Sequence, residues 1–178
     1  MTTMYAALLR GINVGGSRKL PMADLRSLLA GLGHEDVRTY LQSGQAVFSS
    51  GRGDEESLAA EIARAVQQTS GFGVDVIVRD HAYLRAIADA CPYPAADLEP
   101  KQLHVTYFSA PVDPERFAEI DRDAYLPEEF SLGDRALYLY APTAWAAPNW
   151  PSTCRNPAST RGSSPRPATG TPSSNWWS

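Results

Sequence analysis

The 178-residue chain reads as an α+β protein. Three observations predict this. Two stretches, 21–33 and 54–71, place apolar residues at helical spacing. Short apolar or alternating segments flank them on both sides. Glycine-rich breaks fall between one kind of segment and the next, as turn chemistry requires.

Tyr5 to Leu9 is an apolar run closed by Arg10, which suits a strand. The loop Gly11-Ile12-Asn13-Val14-Gly15-Gly16-Ser17-Arg18-Lys19 follows. Pro21 sits where a helix starts without losing a hydrogen bond. Met22, Leu25, Leu28, Leu29 and Leu32 then form one apolar stripe, and Gly33 suits the C-terminal stop. Val37, Thr39 and Leu41 alternate with Arg38, Tyr40 and Gln42, a half-buried strand; Ser43-Gly44 is a hairpin turn and Ala46 to Ser49 the return strand. Asp54 is a candidate helix cap, with Ser57 rather than Glu three residues on, so no capping box is expected. Leu58, Ile62 and Val66 mark the second helix, Gly71-Phe72-Gly73 its end, and Val74, Val76 and Val78 a fourth strand.

This order, βαββαβ, is the ferredoxin-like arrangement. If the first strand runs up, so does the second. The loop 10–19 and the hairpin 42–45 then share one edge, together with the turn at Ser70–Phe72. Residues 80–141 repeat the theme loosely: His81 to Cys91 helical with Leu84 and Ile87 inward, Leu103 to Phe108 a strand, and Pro114 to Asp121 a helix. Phe130 to Leu132 and Ala136 to Tyr140 then form a hairpin around Gly133-Asp134. The predicted organisation is a first unit at 1–79, a second, incomplete ferredoxin-like repeat at 80–141, and an anomalous tail at 142–178. The second unit as read lacks a helix and a final strand.

The tail holds seven prolines and all four tryptophans, but no Leu, Ile, Val, Met, Phe, Tyr, Asp, Glu, Lys, His or Gln. Such composition suits a disordered segment, apart from the tryptophans. A reading frame restarted at the third base of the Pro142 codon permits a basic, leucine-containing continuation. That continuation would supply the missing pieces, so the tail is expected to be disordered or out of frame.

Composition excludes several classes. The chain has 16 basic and 20 acidic residues; three arginines and no acid lie in the tail, leaving residues 1–141 at net −7. An acidic body disfavours broad nucleic-acid binding. Cys91 and Cys154 make no disulfide framework, and the chain has neither CxxC nor a His/Cys cluster. The start, MTTMYAALLR, reads as a strand rather than a signal peptide, and no apolar stretch approaches membrane-spanning length. A cytoplasmic protein without membrane contact is expected.

The strongest local signal for a ligand is the loop from Arg10 to Lys19. Gly11, Gly15 and Gly16 allow the backbone to expose N–H groups, and the loop leads into a helix N-terminus, where anions are favoured. Arg10, Arg18 and Lys19 offer countercharge, and Asn13 a hydrogen bond. Gln42, Ser43, Gly44 and Gln45 form the second element of the same edge. The expected ligand-binding set is Arg10, Gly11, Asn13, Gly15, Gly16, Lys19, Gln42, Ser43 and Gly44. The glycine spacing matches neither GxGxxG nor GxxxxGK[ST], so the nucleotide fingerprints do not apply. The competing explanation is a loop that needs glycines only to turn.

No catalytic constellation emerges. His34, His81 and His104 are scattered, although His34 follows a helix end, where a cation suits the dipole. Ser43 lacks a G-x-S-x-G context and Cys91 reads as buried. Glu128, Glu129 and Asp134 read as loop charges, and Asp54-Glu55-Glu56 as a helix start. Tyr5 and Phe48 are the aromatics a sheet face would offer to RNA, without an RNP signature. No cofactor and no metal are expected.

Ala7-Leu8-Leu9-Arg10-Gly11-Ile12-Asn13-Val14-Gly15-Gly16, Val37 to Gly44, Val47 to Ser50, Val76 to Arg79 and Leu103 to Thr106 carry a likeness to one family. Over about residues 4–141 the chain resembles the bacterial domain-of-unknown-function family 1697. The resemblance implies two ferredoxin-like repeats and a closing Arg-Asn-Trp-Asn-Thr segment, which here occurs only in the shifted frame. Gln45 stands where that family usually has Asn. No activity and no catalytic residue come with the resemblance. The expected function is a small module that binds an anionic ligand, nucleotide or nucleic-acid end. The alternatives are a structural or interaction module and, more weakly, an enzyme on a phosphate-containing substrate.

Overall fold

The structure, a computed structural model, describes residues 1–13, 16, 18–40, 44–99 and 101–142, and the backbone of 167–170. The chain divides into two compact units, Met1–Ala86 and Ile87–Ser178.

The first unit contains β1 (Thr3–Arg10), α1 (Met22–Gly31), β2 (Glu35–Tyr40), β3 (Gln45–Ser50), α2 (Glu55–Ser70) and β4 (Asp75–Asp80). Its antiparallel sheet has the order β2-β3-β1-β4. Alternation along the strands sends Tyr5, Ala7 and Leu9, Ala46 and Phe48, and Val78 to the helix-covered side. There they meet Leu25 and Leu29 of α1 and Leu58, Ile62 and Val66 of α2, the predicted stripes. Each fully buried Leu, Ile, Val or Phe among them contributes roughly 1.5–3 kcal/mol. Tyr5 and Phe48 stack at 5.8 Å inside this core, 8% and 0% exposed. They are therefore not an open aromatic platform for RNA.

The helix ends follow local chemistry. Asp54 caps α2 by accepting the Ser57 N–H at 2.8 Å, and Gly71 ends it at φ +78°. After Leu32, Gly33 turns left-handed at φ +85° and donates to Ala30 O, while the His34 N–H donates to Leu29 O. This pair of bonds is the Schellman motif.

α3 (His81–Asp89) follows β4; of Leu84 and Ile87, only Ile87 is fully buried. The second unit holds β5 (Leu103–Phe108), α4 (Glu115–Ala118), β6 (Glu129–Gly133), β7 (Ala136–Tyr140) and β8 (Pro167–Gly170). α4 is shorter than the predicted span to Asp121; a 3-10 turn at Arg122–Tyr125 follows. The antiparallel sheet has the order β6-β7-β5-β8, with Phe108, Phe117, Phe130, Leu137 and Leu139 as its core. This corrects the expected incomplete repeat in one respect: the sheet has its fourth strand, drawn from the tail. Pattern reading missed β8 because edge pairing uses backbone groups common to every residue, and Pro167–Gly170 carries no apolar alternation. Pro167 is tolerated as the first residue of an edge strand. The rest of the tail beyond Pro142 lies outside the described residues.

The two sheets share more than strand order. The Leu9 N–H donates to Gly44 O at 2.9 Å, and the Phe108 N–H donates to Arg135 O at 2.9 Å. Leu9 pairs with Val76, and Phe108 with Pro167. β8 thus takes the place beside β5 that β4 takes beside β1.

Candidate functional site

The loop after β1 is built from the inside outward. Ile12 is fully buried and anchors the loop in the core. Asn13 sits at φ +56° and its amide bonds the Leu20 backbone twice: Nδ2 donates to Leu20 O and Oδ1 accepts from Leu20 N–H, both at 2.9 Å. The Asn13 N–H donates to Arg18 O at 2.7 Å. Asparagine is one of the few residues that accept a left-handed backbone while bonding locally. The clasp closes residues 13–20 into a ring and delivers buried Leu20 to the start of α1.

The hairpin meets the same loop, as strand direction predicted. Gly44 lies at φ +86° beside Leu9 and Ile12; a Cβ there would stand 2.5 Å from Ile12 Cδ1. Arg10 follows Leu9 and pairs with Asp75 across β4. The Arg18 guanidinium approaches Gly11, whose Cβ position is 3.8 Å from Nη1. Arg18 and Lys19 are exposed and Arg10 half-buried. α1 has no side-chain cap at its N-cap residue Pro21, while Asp24 adds one negative charge to the first turn.

Of the expected ligand-binding residues, Arg10, Gly11, Asn13, Gly16, Lys19 and Gly44 are described, and Gly15, Gln42 and Ser43 lie outside the described residues. Asn13 changes role. Its amide holds the loop itself, so it positions neighbours instead of offering a free hydrogen bond. Gln45 also differs from the polar-hairpin reading. It is a strand residue, 4% exposed, and its Oε1 has no hydrogen-bond partner among the described residues. Ile12 and Leu20 were missed as site-builders; the one sequence signal was their apolar character inside a polar loop. Asn13→Ala removes both amide bonds and strains the left-handed backbone. About 2 kcal/mol of stability should be lost, read by urea unfolding.

The remaining titratable residues do not assemble. No group of three or more metal-ligating side chains exists among the described residues. His104 bonds Lys101 O at 3.2 Å and burial lowers its pKa. Burial raises the Cys91 thiol, and it pushes the Tyr93 phenol to about 12 with the Glu129 charge adding to it. Both groups stay protonated at neutral pH. Burial is the largest influence on His34 and holds its pKa below 6.5. No helix among the described residues is long and apolar enough to cross a membrane.

A family model described as "Protein of unknown function (DUF1697)" matches residues 1–138. The chain belongs to that family. Its fold is similar to that of a solved structure, a conserved bacterial protein, SP0830, from Streptococcus pneumoniae. The TM-score is 0.63 at 23% identity, over 79% of this chain and 78% of that one. None of the curated proteins compared matches the chain.

Proposed function

We propose that the first unit is a small binding module that captures an anionic ligand, a nucleotide or a nucleic-acid end, at the edge formed by Arg10–Lys19 and the hairpin at Gly44. The observation carrying this reading is the clasped loop. It ties Asn13 to Leu20 just ahead of α1, whose N-cap residue Pro21 makes no side-chain cap bond, and Arg10, Arg18 and Lys19 lie along the same segment of chain. Arg10 and Lys19 supply charge, Gly11 and Gly16 the open backbone, and Gly15, Gln42 and Ser43 complete the proposed set. The helix end alone contributes only about 0.3–1 kcal/mol, so the cations must dominate. Titration with inorganic phosphate, pyrophosphate and a mononucleotide, followed by backbone NMR, should perturb residues 10–19 and 42–45 together. Arg10→Ala with Lys19→Ala should weaken the best of these about tenfold, or 1.4 kcal/mol. Shifts confined elsewhere would remove the proposal.

A structural or protein-interaction role is the second reading, favoured by Ile12 and Asn13, whose side chains serve the fold. Under it, the same double variant leaves every partner interaction unchanged. An enzyme on a phosphate-containing substrate is weaker, for want of an assembled base and nucleophile among the described residues.

We further read residues 1–79 as a ferredoxin-like unit and 80–141 as a second, incomplete ferredoxin-like repeat, supported by the matching orders β2-β3-β1 and β6-β7-β5. The composition break after Ala141 supports a shifted frame in the tail. Reading the encoding DNA across the codons for Ala141 to Ala144 tests it, and an unshifted genomic read removes it. A cytoplasmic location is part of the same proposal.

A further inference from the structure

His34 occupies the position of the Schellman motif whose side chain normally makes an apolar contact back onto the helix. The motif therefore folds an ionisable ring into the core. The His34 side chain is 0% exposed and its ring lies 4.5 Å from that of Phe48, tilted by 33°. Neither ring nitrogen has a hydrogen-bond partner among the described residues. The Glu61 carboxylate of α2 stands 4.0 Å from Nε2. That carboxylate is also 3.4 Å from Arg52 Nη2, and the same Arg52 nitrogen donates to Leu32 O at the end of α1. Arg52 thus clips α1 to α2, with Glu61 placed between it and the ring.

We propose that His34 is a proton-operated latch: uncharged, it leaves Glu61 to Arg52, and protonated, it draws Glu61 onto the imidazolium and frees the Gly51–Gly53 loop from α2. A buried imidazolium needs an acceptor and a countercharge, because an unpaired charge there is costly. Glu61 supplies both after a small movement. Arg52, 57% exposed, can turn to water instead. The charged groups that act on the ring are Glu61, which favours its protonation, and Arg52, which opposes it. α1 presents Leu29 backbone and β3 presents the Phe48 ring, while Glu35 and Asp36, next in the chain, are exposed.

The sign follows from burial, the largest cause, which holds the folded pKa below the unfolded 6.5. The unfolded chain takes up the proton first. Stability is fully present above pH 6.5 and declines as pH falls through the folded value.

The test is an imidazole NMR titration of the full chain from about pH 8 to 4.5, a range spanning the ordinary histidine value, with the backbone amides of Leu32, Arg52 and Glu61 followed together. The expected result is a ring midpoint below 6.5, with the Arg52 and Glu61 signals moving at that same midpoint. Glu61→Gln should lower the midpoint further and abolish the Arg52 response. His34→Phe should lessen the acid-induced fall in melting temperature between about pH 7.5 and 5.5. A midpoint at or above 6.5 would overturn the latch. So would Arg52 and Glu61 signals that ignore the ring, a result read in the unmodified chain whether or not the variants fold.

Discussion

Glu55→Ala should lose about 3–5 kcal/mol of stability, the cost of removing one partner of a buried ion pair. Arg79 lies on β4 with its side chain 4% exposed, and its Nη1 stands 2.9 Å from Glu55 Oε2. The guanidinium also donates to Val78 O and lies 5.1 Å over the Tyr83 ring. Glu55 opens α2, and its second oxygen accepts the Asp80 N–H at 2.9 Å. One carboxylate therefore joins the start of α2 to the end of β4. Without it, a buried cation and a backbone donor lose an acceptor together. The Glu55 side chain is 21% exposed, which places the loss toward the lower end of that range. Domains of this size hold only about 5–15 kcal/mol in all. Urea unfolding of the parent, Glu55→Ala, Glu55→Gln and the double change Glu55→Ala with Arg79→Met would resolve the contribution. The double change should recover part of the loss, since an apolar pair leaves no charge behind. A Glu55→Ala variant within about 1 kcal/mol of the parent would mean that water screens the pair as at a surface.

Gly44→Ala should cost about 2–4 kcal/mol, the sum of overpacking and a left-handed backbone. The added methyl would stand 2.5 and 2.7 Å from Ile12 Cδ1 and Cγ1 and 3.1 Å from Leu9 Cβ. Ile12 is fully buried, so its side chain has no room to retreat. Gly16→Ala is the matched control: φ is +82°, yet nothing among the described residues lies within 4 Å, so backbone strain of about 1 kcal/mol is the expected cost. The difference between the two variants isolates the contact between hairpin and loop. Ile12→Val, which removes Cδ1, should offset part of the Gly44→Ala loss in the double variant. Equal losses at Gly44 and Gly16 would show that the two loops do not press on each other.

The features that pattern reading reached are those written in local periodicity. The leucine stripe of α1, the Leu58–Ile62–Val66 stripe of α2, the Asp54 cap and the Gly71 stop all depend on residues within a turn or two of one another. The approach of the hairpin to the loop was also legible, because strand direction follows from element order. The site's chemistry was legible only as residue types. Asn13 could be read as ligand-facing until its amide was seen on Leu20, seven residues away. Gln45 sat in a polar run, yet strand pairing with Leu8 and Tyr40 takes it into a buried position.

Spacing and short motifs were enough to establish the α+β class, the first four strands, the two long helices and the family. They could not establish that His34 is buried against Phe48, that Arg79 pairs with Glu55, or that Pro167–Gly170 pairs with β5; those outcomes came from the three-dimensional fold. The physical reason is shared: each depends on which distant groups exclude water from a residue or bond its backbone. No local pattern records that.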